Sequence, residues 1–213
     1  MPRVFARPHR SALVIPAALV SAFVGALLLT QAARAADPTP QDRPFGKRVT
    51  VAPEKVKVDD GDTVVIDWGT GDVETIRILG IDTPETQHIE HNIPFDQPFG
   101  REAMGFAEGA FATATQVELL RSPTKDPYGR TLGYLFLNGR NYSELIILAG
   151  LAAETVSHYG DNGCPEEAKA VTAAAAKAGP LPFEAPYEYR NRMRKYADAT
   201  KAGDGHAEEK GKQ

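Results

Sequence analysis

The chain has 213 residues, a formal net charge of −4, 42% apolar and 24% charged residues, ordinary globular proportions that exclude a disordered or collagen-like polypeptide. There is room for one ordinary domain with extensions at each end, and none for two large ones. The single cysteine, Cys164, excludes an internal disulfide, and the acidic balance excludes a broad basic surface, so any binding of a polyanion must rest on a local positive site or a bound cation.

From the N-terminus, Arg3, Arg7 and Arg10 precede an apolar run from Ser11 to Thr30, and Ala33-Arg34-Ala35 supplies a small-x-small cleavage pattern. Residues 1–35 therefore read as an export signal, with the mature chain beginning near Ala36 and a secreted or periplasmic location expected. The apolar run approaches the roughly 20 residues that span a bilayer, so the alternative is an uncleaved, outward-facing membrane anchor. Four of the basic residues, Arg3, Arg7, Arg10 and Arg34, lie in this segment and no acidic one does, so its removal makes the chain more acidic still. Residues 36–47, with Pro38, Pro40 and Pro44 among polar neighbours, read as a linker.

A strand-rich stretch follows. Alternation from Glu54 to Val58 predicts a first strand, and Thr63 to Trp68 and Val73 to Asp82 flank the hairpin signal Gly69-Thr70-Gly71-Asp72. Two more strands are expected at Gln116 to Leu120 and Thr131 to Leu137, the latter closed by Asn138-Gly139. Helices are predicted over the Ala-rich Arg101 to Thr113, after the cap pair Asn141 and Glu144, and from Pro165 through Ala178 with Gly179 behind it. The expected fold is α+β, a small five-stranded OB-type β-barrel with three helices, over residues 48–183. Residues 184–213 read as a charged, disordered C-terminal tail.

The chemistry-bearing residues gather at strand ends and turns: Asp60-Gly61-Asp62-Thr63, then Arg77, then Asp82-Thr83-Pro84-Glu85, then Asp126-Pro127-Tyr128-Gly129-Arg130. A hard divalent cation needs oxygen ligands, and two aspartates with a backbone carbonyl suit one while leaving positions for water and a phosphate oxygen. Pro84 restricts Thr83 to extended backbone and so fixes where its carbonyl points. Arginine, permanently charged and able to bond two oxygens at once, is the suitable partner for a phosphate under attack. On an ideal strand Arg77 and Asp82 would face opposite sides, so the period must break between them, and Gly80 is the natural place. Singly, aspartate before glycine is a common turn former and each arginine an ordinary surface charge. Their joint occurrence in one order carries the functional reading.

In that order and spacing the motifs resemble the staphylococcal nuclease (thermonuclease) family, over roughly Glu54 to Ala178, and Gly150-Leu151-Ala152 fits as well. The resemblance implies a calcium-dependent nuclease that hydrolyses DNA and RNA with little sequence specificity and leaves 3′-phosphate ends. It implies Asp62 and Asp82 as calcium ligands with the Thr83 carbonyl, Glu85 to orient or deprotonate water, and Arg77 and Arg130 to hold the scissile phosphate. Tyr128 matches a family tyrosine that can reach a substrate phosphate. The two tyrosines that follow the Gly-Leu-Ala element in the family have no full match in Glu154 to Tyr159, where Tyr159 and His158 are the candidates. The loop from Thr86 to Gly100 is longer or differently composed than the family pattern. Expected partners are single-stranded DNA and RNA as substrates, with no obligate protein partner, for a monomer. The rival is a non-catalytic OB-type module that binds nucleic acid or protein, which the full set of ligand, base and arginine residues argues against. His88, Glu90 and His91 admit a second, transition-metal site, but their polar flanks favour an exposed loop, and Cys164 reads as a passive thiol.

Overall fold

The strand-forming runs curl into a half-barrel sheet in the computed structural model, which describes residues 42–210 and their side chains as far as 201. The expected export signal and the linker up to residue 41 lie outside the described residues. The strands are Arg48–Val51 (β1), Val56–Val58 (β2), Thr63–Gly69 (β3), Asp72–Ile78 (β4), Ile81–Asp82 (β5), Val117–Lys125 (β6), Thr131–Leu137 (β7), Arg140–Asn141 (β8) and Ala153–Glu154 (β9). The main sheet runs β1-β6-β7-β4-β3-β2 with β8 beside β7, and β5 pairs separately with β9. Only β4 and β7 are parallel among the pairs of the main sheet. The helices are Gly100–Ala112 (α1), Tyr142–Leu148 (α2), the single turn Val156–Tyr159 (α3), Pro165–Ala178 (α4) and Pro186–Lys210 (α5).

Alternation builds the core. Val64 and Ile66 of β3, Ile76 and Ile78 of β4, Leu119 of β6 and Leu135 of β7 are buried in one cluster, each such side chain worth about 1.5–3 kcal/mol on transfer from water. Asn141 caps α2 by accepting from the Ser143 N–H at 2.9 Å. That helix in turn anchors two site-forming turns: Tyr142 Oη donates to the Gly61 carbonyl and Ser143 Oγ to the Leu79 carbonyl, each at 2.8 Å. Pro165 opens α4, which buries Ala168, Val171 and Ala174, and Cys164 is buried just ahead of it. Burial pushes the Cys164 thiol up, which suits a passive role.

The α+β, OB-type architecture is the one the sequence predicts, and α1, α2 and α4 are its three expected helices. Two details differ. Pro53–Lys55 form a 3-10 turn, so the first expected strand shortens to β2, and the run from Val73 to Asp82 is split into β4 and β5. Arg48–Val51 adds an edge strand on β6 that the sequence reading missed.

The C-terminal stretch is a correction. In its described part, the charged tail expected over 184–213 instead forms α5, Pro186–Lys210, with Tyr189, Met193 and Ala197 buried at a spacing of one helical turn. The partner of that stripe is the loop between β5 and α1. Tyr189 and Met193 pack with Ile93, Tyr189 Oη donates to the Phe95 carbonyl at 2.9 Å, and the Phe95 and Tyr196 rings lie 5.7 Å apart. A helix that is polar overall holds its place because the loop supplies the apolar surface that propensity alone could not replace.

Candidate active site

Asp62 stands at the entry of β3, held there by the turn before it: the Asp59 and Asp60 N–H groups donate to the Thr63 carbonyl and the Asp62 N–H to Asp60 Oδ1. Asp82 ends β5, which the β9 ladder fixes opposite Ala153. Both aspartates and Thr83 are buried. Thr83 binds Asp62 Oδ2 twice, through its N–H at 2.9 Å and its hydroxyl at 3.1 Å.

Arg77 joins the two aspartates. Its Nη1 donates to the Asp62 carbonyl at 3.2 Å and ion-pairs with Asp62 Oδ1, while Nη2 donates to Asp82 Oδ1 at 3.0 Å. The guanidinium fork thus spans two carboxylates from different strands, a use of arginine that lysine cannot copy. Burial pushes the Asp62 carboxyl up, but Arg77 and the two Thr83 bonds outweigh it and hold the group below its ordinary range.

Glu85 follows in the loop. Its N–H donates to Gln97 Oε1 at 3.1 Å, and the Gln97 N–H returns a bond to the Glu85 carbonyl at 2.8 Å. Gly100 at the start of α1 leaves room for that carbonyl, since a Cβ there would come within 2.3 Å of it. Burial raises the Glu85 carboxyl above its ordinary value even with an arginine beside it. That arginine is Arg190 of α5, which pairs with Glu85 and bonds both oxygens of Asp82, Nη1 to Oδ1 at 3.1 Å and Nη2 to Oδ2 at 2.9 Å.

Sequence reasoning missed Arg190 and Gln97. The signal for Arg190 was Pro186 followed by the Tyr189, Met193, Ala197 period, overlooked among the charges. Gln97 carried no signal, because its role depends on a fold contact with the Glu184 carbonyl, 2.6 Å from its amide.

The remaining predicted residues are held by contacts of their own. Arg130 and Tyr128 lie in the turn between β6 and β7, where Asp126 accepts from the Tyr128 N–H, the Arg130 N–H and Arg130 Nε, the last at 2.5 Å. Tyr128 is fully out in solvent at 83% exposure, and the Arg130 guanidinium lies 5.7 Å from its ring. Tyr159, exposed on α3, is carried close to β5 by β9 and by the Thr155 N–H bond to the Gly80 carbonyl at 3.0 Å. His88, Glu90 and His91 do converge, with donor atoms within 4.8 Å of one another, but on the exposed side of the loop.

Oxygen is the only donor type among Asp62, Asp82, Thr83 and Glu85, which fits a hard cation such as calcium or magnesium and not a thiolate- or imidazole-seeking metal. Two buried carboxylates facing one guanidinium, a third carboxylate beside them, and arginines on the same groups form a centre able to bind a cation and a phosphate and to take a proton from water.

Comparison with known proteins agrees with this chemistry. The family described as "Staphylococcal nuclease homologue" matches residues 75–179. The thermonuclease of Staphylococcus hyicus is 39% identical over 98 residues, 46% of this chain and 55% of that protein. The endonuclease YncB of Bacillus subtilis is 31% identical over 115 residues, 54% of this chain and 52% of its own length. The SPbeta prophage-derived endonuclease YokF of the same organism is 35% identical over 94 residues, 44% of this chain and 30% of that one. The chain spans about half the length of the thermonuclease it matches. Arg77, Asp82, Thr83, Glu85, Tyr128, Arg130 and Tyr159 fall inside the matched span, whereas Asp62 and Arg190 lie outside it.

Proposed function

The chain belongs to the staphylococcal nuclease family, and from that premise we propose that it is a calcium-dependent nuclease cutting DNA and RNA with little sequence specificity and leaving 3′-phosphate ends. The observation that carries the proposal is the Arg77 fork, which brings Asp62 and Asp82 to one point beside Glu85.

In this proposal Asp62, Asp82 and the Thr83 carbonyl hold calcium, which when bound polarises a phosphate oxygen. Thr83 keeps Asp62 oriented through two bonds to Oδ2. Arg77, charged at any working pH, binds the non-bridging phosphate oxygens and stabilises the charge that builds on them. Glu85 accepts a proton from water as the water oxygen bonds to phosphorus and the bond to the 5′ oxygen breaks. Arg130 and Tyr128, on their shared turn, reach the substrate phosphates, and Tyr159 offers an exposed ring for a base. Because the chain is acidic, single strands are the favoured substrates: they can lay a phosphate into a small charged site without needing a broad basic face. The enzyme is proposed to act as an exported monomer, secreted or periplasmic, tethered to the membrane only if its N-terminal segment is retained.

Purified protein incubated with labelled single-stranded DNA and RNA, with calcium or with chelator, tests this. Cleavage with calcium, abolished by chelator and leaving 3′-phosphate termini, is expected. Undiminished cutting in excess chelator would refute the metal assignment, and tight binding without cleavage would make the chain a binding module.

A further inference from the structure

Arg190 reaches the site from α5, beyond residue 179 where the family match ends. Both oxygens of Asp82 are engaged by its two Nη atoms, and Asp82 Oδ1 also accepts from Arg77. A carboxylate held this way has one acceptor site left, on Oδ2, and the guanidinium seated against both of its oxygens repels a divalent cation that approaches them. Metal and Arg190 therefore compete for Asp82.

The position of Arg190 is built, since its helix is pinned on both sides of it. Tyr189 and Met193 pack with Ile93, and Tyr189 Oη reaches the Phe95 carbonyl. Gln97 bonds the Glu85 backbone with one end of its side chain and the Glu184 carbonyl, just ahead of α5, with the other. One loop thus positions Glu85 and the helix that carries Arg190. Displaced from Asp82, the guanidinium stays tethered at the site, with its partner Glu85 still beside it.

Charge decides where it then turns. Among the five groups joined by these ion pairs, Asp62, Asp82 and Glu85 outweigh Arg77 and Arg190 by one negative charge. A divalent cation converts that deficit into an excess of one positive charge, the complement of a phosphodiester monoanion. Without Arg190 the same set would be neutral when loaded and Arg130 would be the remaining cation proposed for the phosphate, in a chain of net charge −4.

We propose that Arg190 is a switching arginine: it pairs with Asp82 in the metal-free enzyme and turns onto the substrate phosphate once a divalent cation takes the Asp82 oxygens. The proposal rests on the nuclease function above. Its test is calcium titration calorimetry without nucleic acid on the wild-type chain, Arg190→Gln and Arg190→Lys, followed by steady-state kinetics on a short single-stranded DNA at saturating calcium.

Arg190→Gln is expected to bind calcium about tenfold more tightly, because a competitor and a like charge are gone, and to show a KM raised about tenfold. Lysine, which keeps the charge, should restore part of the KM. Met193→Ala, which loosens α5 without touching the site, should tighten calcium in the same direction and covers the case in which Arg190→Gln does not fold. Calcium affinity unchanged or weakened in the folded variants would make Arg190 a scaffold for the carboxylates and overturn the proposal, as would an unchanged KM. Wild-type protein that neither bound calcium nor cut DNA would instead bring down the nuclease function itself, and this proposal with it.

Discussion

Arg77 Nη2 and Asp82 Oδ1 lie 3.0 Å apart although their residues are five positions apart on what begins as a single strand. An odd separation along an ideal strand sends side chains to opposite faces. The contact exists because the chain leaves β4 after Ile78, turns through Gly80 at φ +81°, and re-enters extended geometry as β5 on a second ladder.

Gly80→Ala is therefore expected to cost about 2 kcal/mol or more. The backbone there lies in the left-handed region, and a Cβ would come within 3.1 Å of Tyr134 Oη and Val171 Cγ1. Urea denaturation at neutral pH measures the loss, and calcium-dependent cleavage should fall with it as Asp82 moves. A variant as stable and active as wild type would show that Gly80 does not set the bend.

Gly80 also shows how far the sequence was legible. The hydrophobic period revealed the strands, the odd count between Arg77 and Asp82 demanded a break, and glycine marked where; each is a local property of the chain. The same holds for Asn141 capping α2 and Pro165 opening α4. What stayed hidden depends on tertiary partners. Arg48–Val51 is a strand because β6 offers an edge. Residues 186–201 are a helix because the loop holding Ile93 and Phe95 covers their apolar stripe, and so Arg190 could not be assigned to the site before that docking was known.

A second pair lies within the sheet, where Arg121 forks onto Glu74 at 2.9 and 2.7 Å, Trp68 and Thr131 donate to the same carboxylate, and Arg43 Nε lies 3.4 Å from it. Burial pushes Glu74 up, yet these bonds outweigh it, so its native value lies below the ordinary 4.5. Native Glu74 thus holds its proton less tightly than the unfolded chain does. Its stabilisation is complete above about pH 4.5 and is lost as pH falls through the native value. Glu74→Gln, which leaves a buried Arg121 uncompensated, should cost about 3 kcal/mol at neutral pH and flatten the stability loss below pH 4.5. Urea midpoints between neutral and acidic pH check both; an unchanged acid slope would show that Glu74 is not a major contributor to it.

For Glu85→Gln, isosteric and still able to meet Arg190, the fold should be kept while kcat drops by on the order of a hundredfold, the usual share of a general base. Circular dichroism and single-strand cleavage at saturating calcium separate the two effects. Full activity in the folded variant would remove Glu85 from proton transfer.

Arg77→Lys asks whether this arginine acts by charge or by shape. If charge alone mattered, lysine would preserve it at small cost. In the structure, however, Nη1 serves Asp62 and Nη2 serves Asp82, and a single ammonium cannot hold both carboxylates and then present two donors to a phosphate. The variant should lose at least about 2 kcal/mol of transition-state stabilisation, the low end for removal of a preorganised oxyanion donor. Because Arg77 is part-buried against two buried carboxylates, the loss should fall mainly on kcat, with KM changed much less. The same change at Arg130, half-exposed and tied to Asp126 on its turn, should cost at least as much if that arginine swings onto the leaving oxygen, and little if it stays on the turn. Steady-state kinetics of both lysine variants on a short single strand, with circular dichroism as the folding control, resolve the two arginines. A near-normal kcat for Arg77→Lys would leave this centre a charged binding groove and not a site of phosphodiester hydrolysis.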